Sequence, residues 1–194
     1  MLSLDPRTTA LVLIDLQQGI LPFAKAHSAE QVLQHAAALS AQFRACDAPI
    51  VRVRVGWSAD GGDLLRQPVD QPAPMPPGGQ PANWLDYPES LPVEANDIQI
   101  IKRQWNAFFG TELDLQLRRR GITTLVLAGI ATQVGVEGTA RAAWELGYAL
   151  ILAEDATSAP SPLLHQHSFQ YILPRLGLVR DTATIVAAMQ PASI

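Results

Sequence analysis

The sequence predicts a three-layer α/β/α domain: a Rossmann-like, open, mainly parallel sheet of six strands with helices on both faces. Apolar runs of strand length alternate with stretches of helical spacing along most of the chain. The first run, residues 9–15, is apolar without a break until its end, as a parallel strand buried on both faces reads. The 194 residues, 48% of them hydrophobic, are enough for one domain with a substantial core, so residues 1–194 are read as a single unit.

The elements follow in order. After the first strand, residues 28–45 place Val32, Leu33, Ala36, Leu39, Ser40 and Phe43 on one side of a helix, with Ser28 positioned to cap it. Residues 49–55 form a second strand, β-branched and partly alternating. Residues 56–97 break the rhythm with Pro72, Pro74, Pro76, Pro77, Gly78, Gly79 and Pro81. Connections of this length serve as lids or contact surfaces, or are disordered. Regularity returns with a strand at 97–102 and a helix at 111–120, capped by Thr111, with Leu113 and Leu117 inward and Leu115 a further candidate, and ended by Gly121. A fourth strand spans 124–129, a helix of small residues 132–146, and a fifth strand 149–155. A helix over 161–176, a short sixth strand after Gly177 and a small helix over 184–189 complete the series. Such alternation implies parallel strands joined by right-handed crossovers.

Composition narrows the functions. Lys and Arg number 14 against 18 Asp and Glu, a formal net charge of −4. The one basic cluster, Arg118 to Arg120, ends a helix, where cations suit the dipole, so nucleic acid is not an expected partner. No apolar run has the length of a membrane span. The first residues lack a charged start followed by an apolar stretch. Cys46 is the sole cysteine, which precludes an intrachain disulfide, and a buried structural role is expected for it. A cytoplasmic location is the expectation.

Ligands of such sheets bind beyond the carboxyl ends of the strands. Three strand ends carry chemistry: Asp15-Leu16-Gln17-Gln18, Lys102-Arg103-Gln104-Trp105-Asn106, and Gly129-Ile130-Ala131-Thr132 leading to Gly135. If the strands are neighbours, a carboxylate, an ammonium and a helix N-terminus share one crevice, suited to acid/base work or anion binding. Gln17 could bond a substrate or cap its turn. Trp57, Trp105, Phe108 and Phe109 could wall the crevice or belong to the core. Arg141 and Glu137 are read as a structural ion pair.

The blocks Leu13-Ile14-Asp15-Leu16-Gln17, Lys102-Arg103 with Ala107-Phe108, and Gly129-Ile130-Ala131-Thr132 with Gly135-Val136-Glu137-Gly138-Thr139-Ala140-Arg141 resemble the isochorismatase-like family. Their order and spacing match from about residue 9 to about residue 155. The resemblance implies that Asp15 and Lys102 correspond to the Asp and Lys of the catalytic triad of the family's amidases. Gly135 stands where those enzymes carry the nucleophilic cysteine. With no thiol, the thioester route is closed at this position. Isochorismatases of the family also carry glycine there and cleave a vinyl ether by protonation, the Asp being the proposed acid. However, Ala131-Thr132-Gln133 reads like the cysteine hydrolase branch. The resemblance further implies a cis peptide between Ile130 and Ala131, which would mark a functional turn with both residues beside the substrate and N–H groups near Gly135 for an anionic group, and assembly as a homodimer or homotetramer. The family's nicotinamidases bind metal through an Asp and two His after the second strand. Here that region offers Asp60, Asp63 and Asp70 without histidine, so neither metal nor cofactor is expected. His27, His35, His165 and His167 lie elsewhere, and the i, i+2 spacing of His165 and His167 points their rings apart on a helix.

Three functions are therefore weighed. One is a hydrolase acting on a small molecule through Asp15 and Lys102 without a covalent intermediate, with a vinyl ether as precedent. The second is a catalytically silent small-molecule-binding or scaffold protein. The third is an amidase that uses activated water. An ammonium beside Asp15 would lower its pKa and burial would raise it, and an acid role needs burial to win.

Overall fold

The computed structural model describes residues 2–72 and 79–189; Pro74, Pro76, Pro77 and Gly78 of the proline-rich stretch lie outside the described residues. Each apolar run becomes a strand: β1 (Thr9–Ile14), β2 (Ile50–Val55), β3 (Ile98–Lys102), β4 (Thr124–Ile130), β5 (Ala149–Ser158) and β6 (Leu178–Arg180). Among the described residues they form one sheet in the order β3-β2-β1-β4-β5-β6, every neighbouring pair parallel. The chain builds outward from β1 through β2 to β3, then returns to the other side of β1 with β4. The strand order therefore reverses between β1 and β4, where an open α/β sheet presents its crevice.

The unbroken apolar character of β1 has a direct cause. Leu11 and Leu13 enter one core with Val32, Ala36, Leu39 and Phe43 of helix α1 (Ala29–Ala45). Ala10, Val12 and Ile14 enter a second core on the opposite face. There they meet Leu113 and Leu117 of α2 (Leu113–Arg119) and Ala140 and Ala143 of α3 (Glu137–Glu145). Neither face of the strand is left for polar residues. Ser28 caps α1 as expected, in a capping box with Gln31. No helix among the described residues is long and apolar enough to cross a membrane.

Several boundaries differ from the sequence reading. The helix expected over 132–146 begins as a wide turn of π type, Thr132–Val136, before α3. The helix expected over 161–176 is α4 (Pro162–His167), a second π-type turn (Ser168–Ile172) and a 3-10 turn (Leu173–Arg175). Pro174, with no N–H to give, prevents a continuous helix. α2 starts at Leu113 and not Thr111, although the Thr111 hydroxyl still accepts from Leu113 N at 3.2 Å. The last helix, α5 (Thr182–Ala188), starts earlier because Asp181 caps it by accepting from Thr184 N. β5 continues to Ser158 because a register shift at β4 lets Gly129 pair with Thr157 and Ile130 with Ser158. Their polar side chains read as a strand end, yet both are buried and their hydroxyls donate to backbone carbonyls. Cys46 is half-buried, not buried, at the C-terminal cap of α1.

The long connection after β2 is fastened across the sheet. Trp84 is buried and donates its indole N–H to Val55 O at 2.8 Å. Gly19 N and Gln18 N donate to the carbonyls of Trp84 and Asp86. Residues 79–97 are thus a strap tied to the ends of β1 and β2.

Gly129 brings the ends of β1 and β4 together. Its φ is +127°, and a Cβ there would lie 2.0 Å from Ile14 O. Gly121, at φ +68°, has open space around its Cβ position. The two therefore separate strain from collision: Gly121→Ala should cost about 1–2 kcal/mol for the left-handed backbone alone. Gly129→Ala should cost clearly more than about 3 kcal/mol, in the range reserved for severe core overpacking. Urea unfolding curves of the two variants check the ranking.

Candidate active site

Asp15 follows β1 directly. Its N–H donates to Val53 O at 2.9 Å, holding it against β2, while φ of +52° turns the chain off the strand line. This left-handed conformation is rare for residues other than glycine, and aspartate tolerates it better than most. Lys102 ends β3, which is not a neighbour of β1: β2 lies between them. The premise of adjacent strands is corrected, since the long lysine stem spans the end of β2. The crevice nevertheless forms. Lys102 Nζ is 2.6 Å from Asp15 Oδ2, and the two side chains are only 2% and 6% exposed. Nζ also donates to Gln104 O at 3.1 Å.

Two bonding positions of the pair are left over. An ammonium has three N–H groups, of which Asp15 and Gln104 take two. Asp15 Oδ1 is buried and accepts no hydrogen bond. Removal from water dominates the carboxyl group and raises its pKa to about 6, with the Lys102 charge and hydrogen bond pulling the other way.

Gly135 abuts this pair. A Cβ at this position would stand 2.9 Å from Ile14 Cγ2, 3.1 Å from Asp15 Oδ2 and 3.6 Å from Lys102 Nζ. The turn that carries it is pinned by Val134 N and Val136 N, both donating to Ala131 O. The Ile130–Ala131 peptide preceding it is cis, as the resemblance implies. Ile130 is fully buried in the core and Ala131 packs against it. Asp15, Lys102 and Gly135 therefore meet at one place.

The supporting residues divide. Gln17 is a brace: its amide donates to Val55 O and Trp84 O and accepts from Val55 N, which uses all three of its strongest bonding positions. A substrate-binding role is corrected on that ground. Trp57 donates to Arg103 O and leans on Trp84. Phe108 packs on Tyr148 and against the second core. Trp105 and Phe109 are 66% and 71% exposed, so neither belongs to the core. Arg141 and Glu137 form the ion pair expected of them, at 2.9 Å. Thr139, read as a small packing residue, also accepts from Ala107 N, which ties α3 to the segment after β3.

Sequence reasoning missed Ile14, whose methyl group bounds Gly135, because it reads as one more core residue. It missed Gln133, whose side-chain oxygen is buried without a partner beside the same turn. It also missed Trp84, which lies in a stretch without periodicity.

Fold and site together define a doubly wound α/β protein with a buried acid–ammonium pair at its switch point. The chain belongs to the isochorismatase family: the Isochorismatase domain matches residues 9–184. It is 55% identical over 190 residues to the isochorismatase family protein YecD of Escherichia coli O157:H7, covering 97% of this chain and 100% of that one. It is 30% identical over 218 residues to a ureidoacrylate amidohydrolase, RutB, of Methylorubrum extorquens, covering 97% and 85%. A solved isochorismatase family protein from Burkholderia thailandensis superposes with a TM-score of 0.90 at 39% identity, covering 97% and 98%.

Removing one partner of the buried pair should be costly, and removing both much less so. Lys102→Met leaves Asp15 buried without its cation and should destabilise the protein by about 3–5 kcal/mol. Adding Asp15→Leu to that variant should recover a good part of the loss. Denaturant unfolding at pH 7 of the single and double variants measures the coupling.

Proposed function

We propose that this chain hydrolyses a small molecule by proton transfer from Asp15, with Lys102 as its electrostatic partner and without a covalent thioester intermediate. One observation carries the reading: a buried carboxyl oxygen, Asp15 Oδ1, has no partner while the pKa of its group is lifted to about 6. A proton donor works best with a pKa near the working pH, and here roughly a tenth of the groups would be protonated at pH 7.

A vinyl ether is the substrate class that such an acid serves. Protonated Asp15 gives its proton to the terminal alkene carbon, and the adjacent carbon becomes an oxocarbenium ion bonded to the ether oxygen. Water adds to that carbon and loses a proton to the Asp15 carboxylate. The hemiketal then collapses to an alcohol and a ketone. Lys102 steadies the carboxylate formed in the first step, and its remaining N–H is free for an oxygen of the substrate. The thioester route to amide hydrolysis, the activity that the amidohydrolase relative's name denotes, would need a nucleophile that Gly135 lacks, and an amidase using activated water would need Asp15 as its base.

Purified protein mixed with isochorismate and other enolpyruvyl ethers, followed for pyruvate release, tests the reaction. Asp15→Asn should lower kcat/KM by about a hundredfold or more. Release no faster than with Asp15→Asn removes the vinyl ethers, and ligand binding without turnover establishes a silent binding protein instead. The sign of the pH dependence separates acid from base. With Asp15 as acid, kcat/KM is level below pH 6 and falls tenfold per unit above it, because the raised pKa holds the active protonated form only up to that point. With Asp15 as the base for an attacking water, the rate would rise through the same pH and level off.

A further inference from the structure

On the far side of β4 from Lys102, three side chains of the metal-binding type converge. His27 precedes α1, Glu154 lies on β5 and His165 lies on α4, and one ligand atom from each falls within 4.8 Å of the others. Glu154 Oε1 is 2.8 Å from His165 Nε2 and 3.6 Å from His27 Nε2. The two rings meet edge to face, with centroids 4.9 Å apart.

The far nitrogens of the rings decide what the near ones can do. His27 Nδ1 lies 2.9 Å from Thr157 O. A carbonyl only accepts, so Nδ1 carries the proton, and in a neutral ring Nε2 turns a bare lone pair toward Glu154. The Thr132 hydroxyl donates to Ser158 O at 3.0 Å, another group that only accepts. Its oxygen then accepts from His165 Nδ1, 2.8 Å away, so His165 Nε2, 2.8 Å from Glu154 Oε1, either donates a proton to the carboxylate in a charged ring or, in a neutral one, faces it with a lone pair open to a metal ion. The carboxylate and the two ring nitrogens converge on a place that a positive charge must fill, either a proton on an imidazole or a metal ion shared by all three. Backbone carbonyl and hydroxyl partners on the outer nitrogens are the supports that metal-ligating histidines receive.

We propose that His27, Glu154 and His165 bind a divalent transition-metal ion of borderline softness, zinc being the reference case. Ligand atoms of a tetrahedral zinc site are roughly 3.3 Å apart at the usual bond lengths, and the separations from Glu154 of 2.8 and 3.6 Å lie on either side of that. Two imidazoles and a carboxylate leave a fourth position. Glu154 and His27 are 38% and 30% exposed, so water or a ligand from solvent can reach it. His165, 5% exposed, supplies the buried anchor. The site uses none of Asp15, Lys102 or Gly135, so it does not depend on the reaction proposed above.

The test is zinc titration by calorimetry on untagged full-length protein, stripped with a chelator and then freed of it. One ion per chain is expected. His27→Gln, at a partly exposed position, and Glu154→Gln should each weaken binding at least tenfold, with circular dichroism confirming that they fold. Thr132→Val removes the support of His165 and should cost about 10–100-fold in affinity. Cys46→Ser should change nothing. The proposal is overturned if the protein takes up no zinc. It is equally overturned if His27→Gln and Glu154→Gln bind as the parent does, or if NMR shows protons and not metal on both His165 nitrogens with saturating zinc present.

Discussion

The contact between Asp15 and Lys102 is the constraint to which the rest of the molecule is fitted. Two opposite charges have been taken almost wholly out of water, and their attraction offsets that cost only if the geometry is held closely. The hold is built from backbone. β2 fixes Asp15 by accepting one hydrogen bond from the Asp15 N–H, β3 delivers the lysine, and β4 and the turn after it press in from the other side with no side chain at Gly129 and none at Gly135. The Trp84 strap closes over the ends of β1 and β2, with Gln17 tying the strap to the strands. Burial by this apparatus lifts the carboxyl toward neutrality, so the features that stabilise the pair also set its proton affinity.

Glycine at position 135 has a positive physical reason. With the nitrogen of Lys102 at 2.6 Å from Asp15, a Cβ on residue 135 would crowd both Asp15 Oδ2 and the Ile14 methyl. Ile14 lies in a strand packed on both faces, so its Cγ2 has little room to withdraw. A cysteine at this position would therefore require the carboxylate, the strand end or the turn to move. In this chain the bare backbone at position 135 and the closeness of the charged pair are one arrangement.

Much of this is legible in the sequence because the governing signals are local. β1 and β4 are apolar without alternation since both faces are covered, and the groups that end β1 and β3 break that pattern conspicuously. Charges at strand ends can be read as a site because parallel sheets open there. What cannot be read depends on contacts far apart in sequence. Gln17 stays open between ligand and brace until Val55 and Trp84 are placed around it. Strand order is hidden too: neighbouring strands are the simplest way to pair Asp15 with Lys102, whereas it is the length of lysine that makes the pairing possible across β2. The π-type turns and the extension of β5 escape because hydroxyl side chains, which mark strand ends when exposed, here satisfy buried carbonyls instead.

The same limit explains the histidines. His27 and His165 are 138 positions apart, with Glu154 on a third element, and no spacing rule links them. What joins them is the extension of β5, which sets the carbonyl of Thr157 against His27 and that of Ser158 against Thr132. Thr132 also opens the turn that places Gly135 against Asp15. One short segment after β4 thus supports two separate groups of polar side chains. On its β1 side it offers only backbone and the charges come close. On its β5 side it offers a hydroxyl, and that hydroxyl fixes which nitrogen of His165 is left to face Glu154.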